Sequence, residues 1–283
     1  MLLSRASISE ITTLRSSFER DVEMYAQAGI GGIGVWEMKL GDRSALDAAA
    51  TVRAAGLRVT NLIPEGNSVY PTALSRAPVD PHERVSALLD RLEELAVLEP
   101  DALVLVTGVD DAKPRGDVRR ECVSGLRRLA KRAASLGMRV VIEPMHESAA
   151  LDYSFVTDLA SATRLIDDVG ETNASILYDT WHMGQGSESV NDVEQYVSRI
   201  GAVHLADVHE PTRSWADRAF PGEGSLPLRD IVAALEAGGY GGSYDVEVFS
   251  DDGTFGHRFP DSLWLLPEEE CVARATAFVR QIL

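Results

Sequence analysis

Four residues in the second half of the chain have types and settings that suit metal chemistry: Glu143, Asp179, His204 and Glu247. Each closes, or nearly closes, a short apolar run: VVIE at 140–143, SILYD at 175–179, AVHLAD at 202–207 and YDVE at 244–247. A carboxylate at the end of a buried strand costs on the order of several kcal/mol unless it is paired, protonated or bound to a cation. Each residue also has a simpler explanation. Glu143 before Pro144 suits a loop carboxylate, Asp179 an N-cap, His204 a core histidine, and Glu247 an outward residue of a strand. The same pattern at four successive segments favours one shared divalent-metal site. Three carboxylates and one imidazole favour a hard ion, Mn²⁺ first, with Mg²⁺, Co²⁺ and Zn²⁺ also compatible. Four protein ligands would leave positions on an octahedral ion open for substrate oxygens.

Bringing these residues together requires elements that end on one side of the molecule. Apolar, β-like runs are expected at 2–7, 30–38, 57–63, 102–107, 138–143, 174–179, 202–207 and 243–248. Helical spacing is expected over 18–28, 45–55, 81–98, 118–136, 155–169, 190–200, 228–237 and 267–283. Several of these helices stop at glycine, as at Gly29, Gly56, Gly137 and Gly170. Residues 64–81 hold four prolines and read as a long loop. Alternating strands and helices imply parallel pairing with right-handed crossovers. Eight such units in 283 residues fit an α/β fold, a single-domain (β/α)₈ TIM barrel spanning 1–283. A doubly wound sheet is the competitor, but no G-x-G-x-x-G follows the first strand, and IGGIG at 30–34 lies inside a strand. In a barrel the C-terminal strand ends meet at one mouth. Ligands spaced 36, 25 and 43 residues apart then correspond to one βα unit each.

The composition limits the partners. Net charge is −17, which argues against nucleic acid and against an anionic membrane surface. No apolar run approaches the ~18 residues that span a bilayer, and the N-terminal MLLSRASISEITTLR lacks the long apolar stretch of a signal peptide. Two cysteines, Cys122 and Cys271, in helix-like segments indicate reduced thiols and a cytoplasmic protein.

Around the four ligands other residues suit substrate binding. His182, three residues after Asp179, falls on the loop over the mouth and suits a hydrogen bond to a substrate hydroxyl or carbonyl. His146, Asp207 and His209 are similarly placed. Trp36 near a strand end offers an apolar wall for a sugar face, and Arg213 and Arg218 are available to an anionic group.

At these residues the sequence resembles the xylose isomerase-like TIM-barrel superfamily, in its sugar phosphate isomerase/epimerase branch. The matching pieces are AGIGGIGVWE at 28–37, VVIEP at 140–144, LYDTWHMG at 177–184, VHLAD at 203–207, PGEGSLPL at 221–228 and DVEVF at 245–249. The resemblance implies Glu143, Asp179, His204 and Glu247 as metal ligands and His182 as a substrate-binding residue. It also implies that Glu143 and Glu247 form the acid/base pair. A ketone and an adjacent hydroxyl chelated to the metal have an acidified C–H, because the ion stabilises the enediolate. Returning the proton to the other face epimerises, and returning it to the neighbouring carbon isomerises. The branch is commonly dimeric or tetrameric, so the resemblance also suggests a homo-oligomer. The chain departs from ketose 3-epimerases where those enzymes place a substrate-binding Arg six residues beyond the metal His: here that position is Glu210, and the nearest arginine is Arg213.

The expectation is thus a metal-dependent isomerase or epimerase of a keto-sugar or related hydroxy-ketone, with a small carbohydrate-like molecule as its partner. A dehydratase of a keto-polyol or dehydroshikimate-like substrate on the same scaffold is the alternative. An abasic-site endonuclease, as in the distant relative endonuclease IV, is disfavoured by the acidic charge, and a non-catalytic sugar-binding barrel by the intact ligand set. The tail GTFGHRFPDSLW at 253–264 is expected to fold over or beside the mouth, with His257 or Arg258 within reach of substrate.

Overall fold

A computed structural model describes residues 2–185 and 190–283 of the chain. Eight parallel strands close into a barrel: β1 (Ala6–Ser9), β2 (Gly32–Trp36), β3 (Arg58–Ile63), β4 (Ala102–Leu105), β5 (Arg139–Ile142), β6 (Ala174–Asp179), β7 (Ile200–Leu205) and β8 (Tyr244–Val246). Each pairs with its sequence neighbours, and β8 closes on β1 with Ala6 opposite Tyr244. The outer ring is α1 (Phe18–Gln27), α2 (Ala45–Ala54), α3 (Pro81–Leu95), α4 (Arg115–Ser135), α5 (Leu159–Val169), α6 (Val190–Tyr196), α7 (Leu228–Ala237) and α8 (Glu268–Ile282). The α/β TIM barrel expected from the alternation is the fold observed. Among the described residues, no helix is long and apolar enough to cross a membrane.

Helix starts follow local capping chemistry. Asp80 accepts hydrogen bonds from the His82 and Glu83 amides at 2.8 and 3.0 Å, with Pro81 as the first helical residue of α3. Asp158 and Ser161 form a reciprocal capping box that starts α5 at Leu159, later than the apolar spacing predicts. Residues 154–158 lie outside any helix, and a separate helix, Glu147–Tyr153, precedes them where none is expected from the sequence. The first strand also differs. Leu2–Arg5 is a 3₁₀ turn, and the ladder begins at Ala6, where the chain gains a partner on each side.

Strand periodicity sets the barrel's two faces. Val140, Ile142, Val203, Leu205, Tyr244 and Val246 face the helices and join the main core. Val141, Leu177 and Ala202 face the barrel axis, with Ala102 and Val104 of β4. Two residues further along each of these strands stand Glu143, Asp179 and His204. The axis-facing residue two before Glu247 is Asp245, which belongs to a polar layer. There Asn61 donates to Asp245 Oδ2 at 2.6 Å, the Ser7 hydroxyl donates to Asp245 Oδ1, and Ser7 and Thr60 hydroxyls meet at 2.8 Å.

Gly34 lies against this layer, where a Cβ would collide with the Asp245 carboxylate and approach Asn61 Oδ1 at 3.0 Å. Gly34→Ala should therefore lower stability by about 1–3 kcal/mol through overpacking. The urea midpoint measures this, and an unchanged midpoint would mean that the polar layer can shift freely.

Candidate metal centre

Backbone pairing fixes the four candidate ligands. The Glu143 amide donates to Leu105 O and the Glu247 amide to Leu205 O, both at 3.0 Å, so each glutamate extends the ladder one residue beyond its strand. Asp179 stands opposite His204 across β6 and β7. One ligand atom from each of Glu143, Asp179, His204 and Glu247 lies within 4.8 Å of every other, and all four residues are buried. His204 is 1% exposed, yet neither ring nitrogen makes a hydrogen bond. Its Nδ1 lies 3.2 Å from Glu247 Oε2, and its Nε2 lies 3.7 Å from Asp245 Oδ2. An orphaned buried imidazole facing three carboxylates is the donor set a divalent cation takes. These residues fit the ion.

The charges are compensated within the protein as well. Arg218 is 2% exposed, and its Nη1 lies 2.8 Å from Asp179 Oδ2 and 3.4 Å from Glu247 Oε2. Its guanidinium packs over the rings of Trp181 and Phe249, 5.2 and 4.9 Å from their centroids. Burial raises the Asp179 carboxyl, but Arg218, the neighbouring histidines and the His182 amide together outweigh it and hold the group below the usual carboxylate range. Burial pushes Glu143 up to about 8, and the charges of Glu247 and Asp179 add to the effect. Burial lowers His204, but Glu247, Asp245 and Glu143 outweigh it and bring it to about 10. Protons on Glu143 and His204 thus offset part of the cluster's negative charge.

His182 has one assignable tautomer. Its Nδ1 accepts from the His146 amide at 3.0 Å, and burial depresses the ring to about 3, so it is neutral. The ring hydrogen is then on Nε2, which faces Arg218 Nη2 at 3.1 Å. Two N–H donors confront each other there, an arrangement that an acceptor oxygen would relieve.

These groups open onto a cavity of about 450 Å³ that is also lined by Trp36, Trp215 and Phe249. Trp36 keeps its Nε1 bonded to Ser9 Oγ at 2.9 Å. Arg213 does not line the cavity. Asp217 at 2.6 Å and Asp261 at 2.7 Å hold its guanidinium on the outside, over the ring of Phe259. Arg218 enters instead because the segment after β7 folds back as a small antiparallel ribbon, with Val208 opposite Arg218. That ribbon has two residues per strand, too few for a periodic signal. Asp207 is structural: it accepts from the Val208, Gly222 and Leu226 amides at 2.8, 3.0 and 2.9 Å. His146 caps the Glu147–Tyr153 helix, His209 is partly buried outside the cavity lining, and Glu210 is exposed. Of the tail, Phe255 reaches the cavity, whereas His257 and Arg258 do not line it.

The pH dependence of the metal-free protein follows from these protons. Folded Glu143 keeps its proton to about 8, while the unfolded chain releases it near 4.5, so stability falls as pH rises across that window. The contribution of His204 is complete below 6.5 and lost as pH rises toward about 10, in the same direction. A divalent ion displaces both protons, so the gain in Tm on adding Mn²⁺ over EDTA should be larger at about pH 8 than at about pH 6. An equal gain at both would show that the ion does not compete with these protons. Elemental analysis should also find about one ion per wild-type chain and none after Glu143→Ala/Asp179→Ala.

Comparison with known proteins agrees with this geometry. Residues 22–282 match the family described as xylose isomerase-like TIM barrel. A putative hydroxypyruvate isomerase of Streptomyces coelicolor is 30% identical over 241 residues, covering 78% of this chain and 82% of that one. An inosose isomerase of Halalkalibacterium halodurans is 25% identical over 139 residues, and the match spans about half of each protein, 48%. Further relatives are named as a D-psicose 3-epimerase, inosose dehydratases and a 3-dehydroshikimate dehydratase. Among solved structures, protein SMc04130 of Sinorhizobium meliloti superposes with a TM-score of 0.85 at 26% identity, over 99% of this chain and 98% of that one. The structure of an IOLI protein, similar in fold with a TM-score of 0.80 at 20% identity and with 99% of this chain covered, contains a zinc atom. On the span of the family match and the ligand cluster at the barrel mouth, the chain belongs to the xylose isomerase-like TIM barrel family.

Proposed function

We propose that the protein is a divalent-metal-dependent isomerase or epimerase of a keto-sugar or related hydroxy-ketone, in which Glu143 and Glu247 transfer the proton. The observation that carries this reading is the buried cluster itself: two glutamates within 4.8 Å, by one oxygen each, at the floor of a cavity that also presents two unanswered N–H donors. Glu143, Asp179, His204 and Glu247 would hold the ion, Mn²⁺ by the donor set. When bound, such an ion acidifies a C–H beside a carbonyl by stabilising negative charge on the neighbouring oxygens.

The remaining steps belong to the side chains. Glu143 and Glu247 both line the cavity, so each presents a carboxylate to a bound substrate, the geometric condition for general acid/base exchange. One glutamate removes the proton next to the carbonyl. The other, carrying a proton of its own, delivers that proton to the opposite face, which inverts the centre. Delivery to the adjacent carbon, while the hydroxyl proton passes to the former carbonyl oxygen, moves the carbonyl. The pair then exchanges protons with water. His182 Nε2–H and Arg218 Nη2 flank the position of a substrate oxygen and stabilise charge that develops there. Trp36 supplies an apolar wall for the substrate body.

The relatives named as dehydratases support a second reading, in which the same proton abstraction is followed by loss of a β-hydroxyl. The test is deuterium incorporation from solvent into hydroxy-ketones by the Mn²⁺-loaded protein, followed by NMR. Glu143→Gln and Glu247→Gln should each cut exchange by about 10²–10⁴-fold. Undiminished exchange in both variants would remove the acid/base assignment. A product that has lost water would select the dehydratase.

A further inference from the structure

The walls of the cavity differ from its floor. An arc of aromatic rings runs around the mouth: Trp36 meets Phe249 at 5.7 Å between centroids, Phe249 meets Trp215 at 5.5 Å, and Trp215 meets Tyr153 at 5.1 Å, each edge to face. Trp36 ends β2, and Tyr153, Trp215 and Phe249 come from the segments after β5, β7 and β8. The arc ends at Tyr153, the last residue of the Glu147–Tyr153 helix, which lines the cavity at 7% exposure. Its Oη is buried and has no hydrogen-bond partner among the described residues. Phenylalanine would fill the same space against Trp215 without burying an unanswered hydroxyl. Burial pushes the phenol up from its ordinary value, so it stays protonated and takes no part in moving protons.

The charge of the lining points the same way. Among the described lining residues, Arg218 is the one lysine or arginine, and Asp179 and Glu247 already engage it. The other charged side chains are Glu65, Glu143 and Glu247. A phosphate or carboxylate at the far end of a substrate would find no free cation there and would meet acidic groups instead.

We infer that Tyr153 is a specificity-determining residue whose Oη binds the distal hydroxyl of an uncharged polyhydroxy-ketone lying along the aromatic arc. This rests on the reading of the cavity as the substrate site, but its test reads binding and not turnover.

Binding of dihydroxyacetone, erythrulose, xylulose, fructose and fructose 6-phosphate to the Mn²⁺-loaded protein would be measured by calorimetry, with wild type beside Tyr153→Phe. Unchanged Tm and Mn²⁺ affinity would establish that the variant is intact, and Tyr153→Leu with the same profile would serve as the second variant. The expected result is a loss of about three- to tenfold for the longer neutral ketones, none for dihydroxyacetone, and weaker wild-type binding of the phosphate than of fructose. A loss that is equal at every length, or absent at every length, overturns the role of Tyr153. Phosphate binding as tight as that of fructose overturns the uncharged substrate, and no binding by any ketone overturns both. Length-dependent binding without solvent-deuterium exchange would leave Tyr153 in place and sink the proton-transfer reading alone.

Discussion

Mutual repulsion among three buried carboxylates is the constraint on which the rest of this molecule turns. Two unit charges 4.8 Å apart at an effective dielectric near 20 repel by about 3 kcal/mol, and three such pairs rival the ~5–15 kcal/mol that holds a domain folded. The fold answers with a buried guanidinium and with protons retained on Glu143 and His204. With both of those protons gone, the three carboxylates and Arg218 carry a net charge of −2, to which the Asp245 carboxylate 3.7 Å from His204 adds, so a divalent ion would offset most of it. The donor types, the orphaned imidazole and the charge balance all point to the same kind of ligand.

The barrel makes this arrangement possible by dividing labour. Strand pairing fixes the ligands to the register of the sheet, and the two-residue pleat lifts them one step above the apolar or polar layer that fills the axis. The groups that meet the rest of the cavity come from segments beyond the strands: His182 from a helical turn after β6, Arg218 from the ribbon after β7, and Tyr153 from the helix after β5. Rigid elements hold the four-residue cluster, and loops shape what can approach it.

The barrel and the clustering of the four candidate ligands were legible because both carry strong local signals. β-branched runs mark strands, and a carboxylate or imidazole at a strand's end conflicts with its surroundings in a way that demands a partner. What lay beyond the strands was less legible. Arg213 and Arg218 sit in one loop and look equivalent in sequence. Only the ribbon pairing turns Arg218 inward, while Asp217 and Asp261 retain Arg213 outside. Tyr153 was hidden because the Glu147–Tyr153 helix is too short to show a convincing period. The apolar spacing over 155–169 also drew the helix expected in that region to a start beyond Tyr153.

Asp207 has a consequence for how such a protein can change. Its carboxylate gathers amides from both ends of the 208–226 segment, at Val208 on one side and at Gly222 and Leu226 on the other. The segment is thereby tied off at its base, only three residues past His204. Residues can be gained, lost or exchanged beyond that knot without transmitting a displacement to the strand below. The loop is therefore anchored independently of its own length, and its outer residues can be refitted while Arg218 stays against Asp179 and Glu247 and the four clustered residues keep their places.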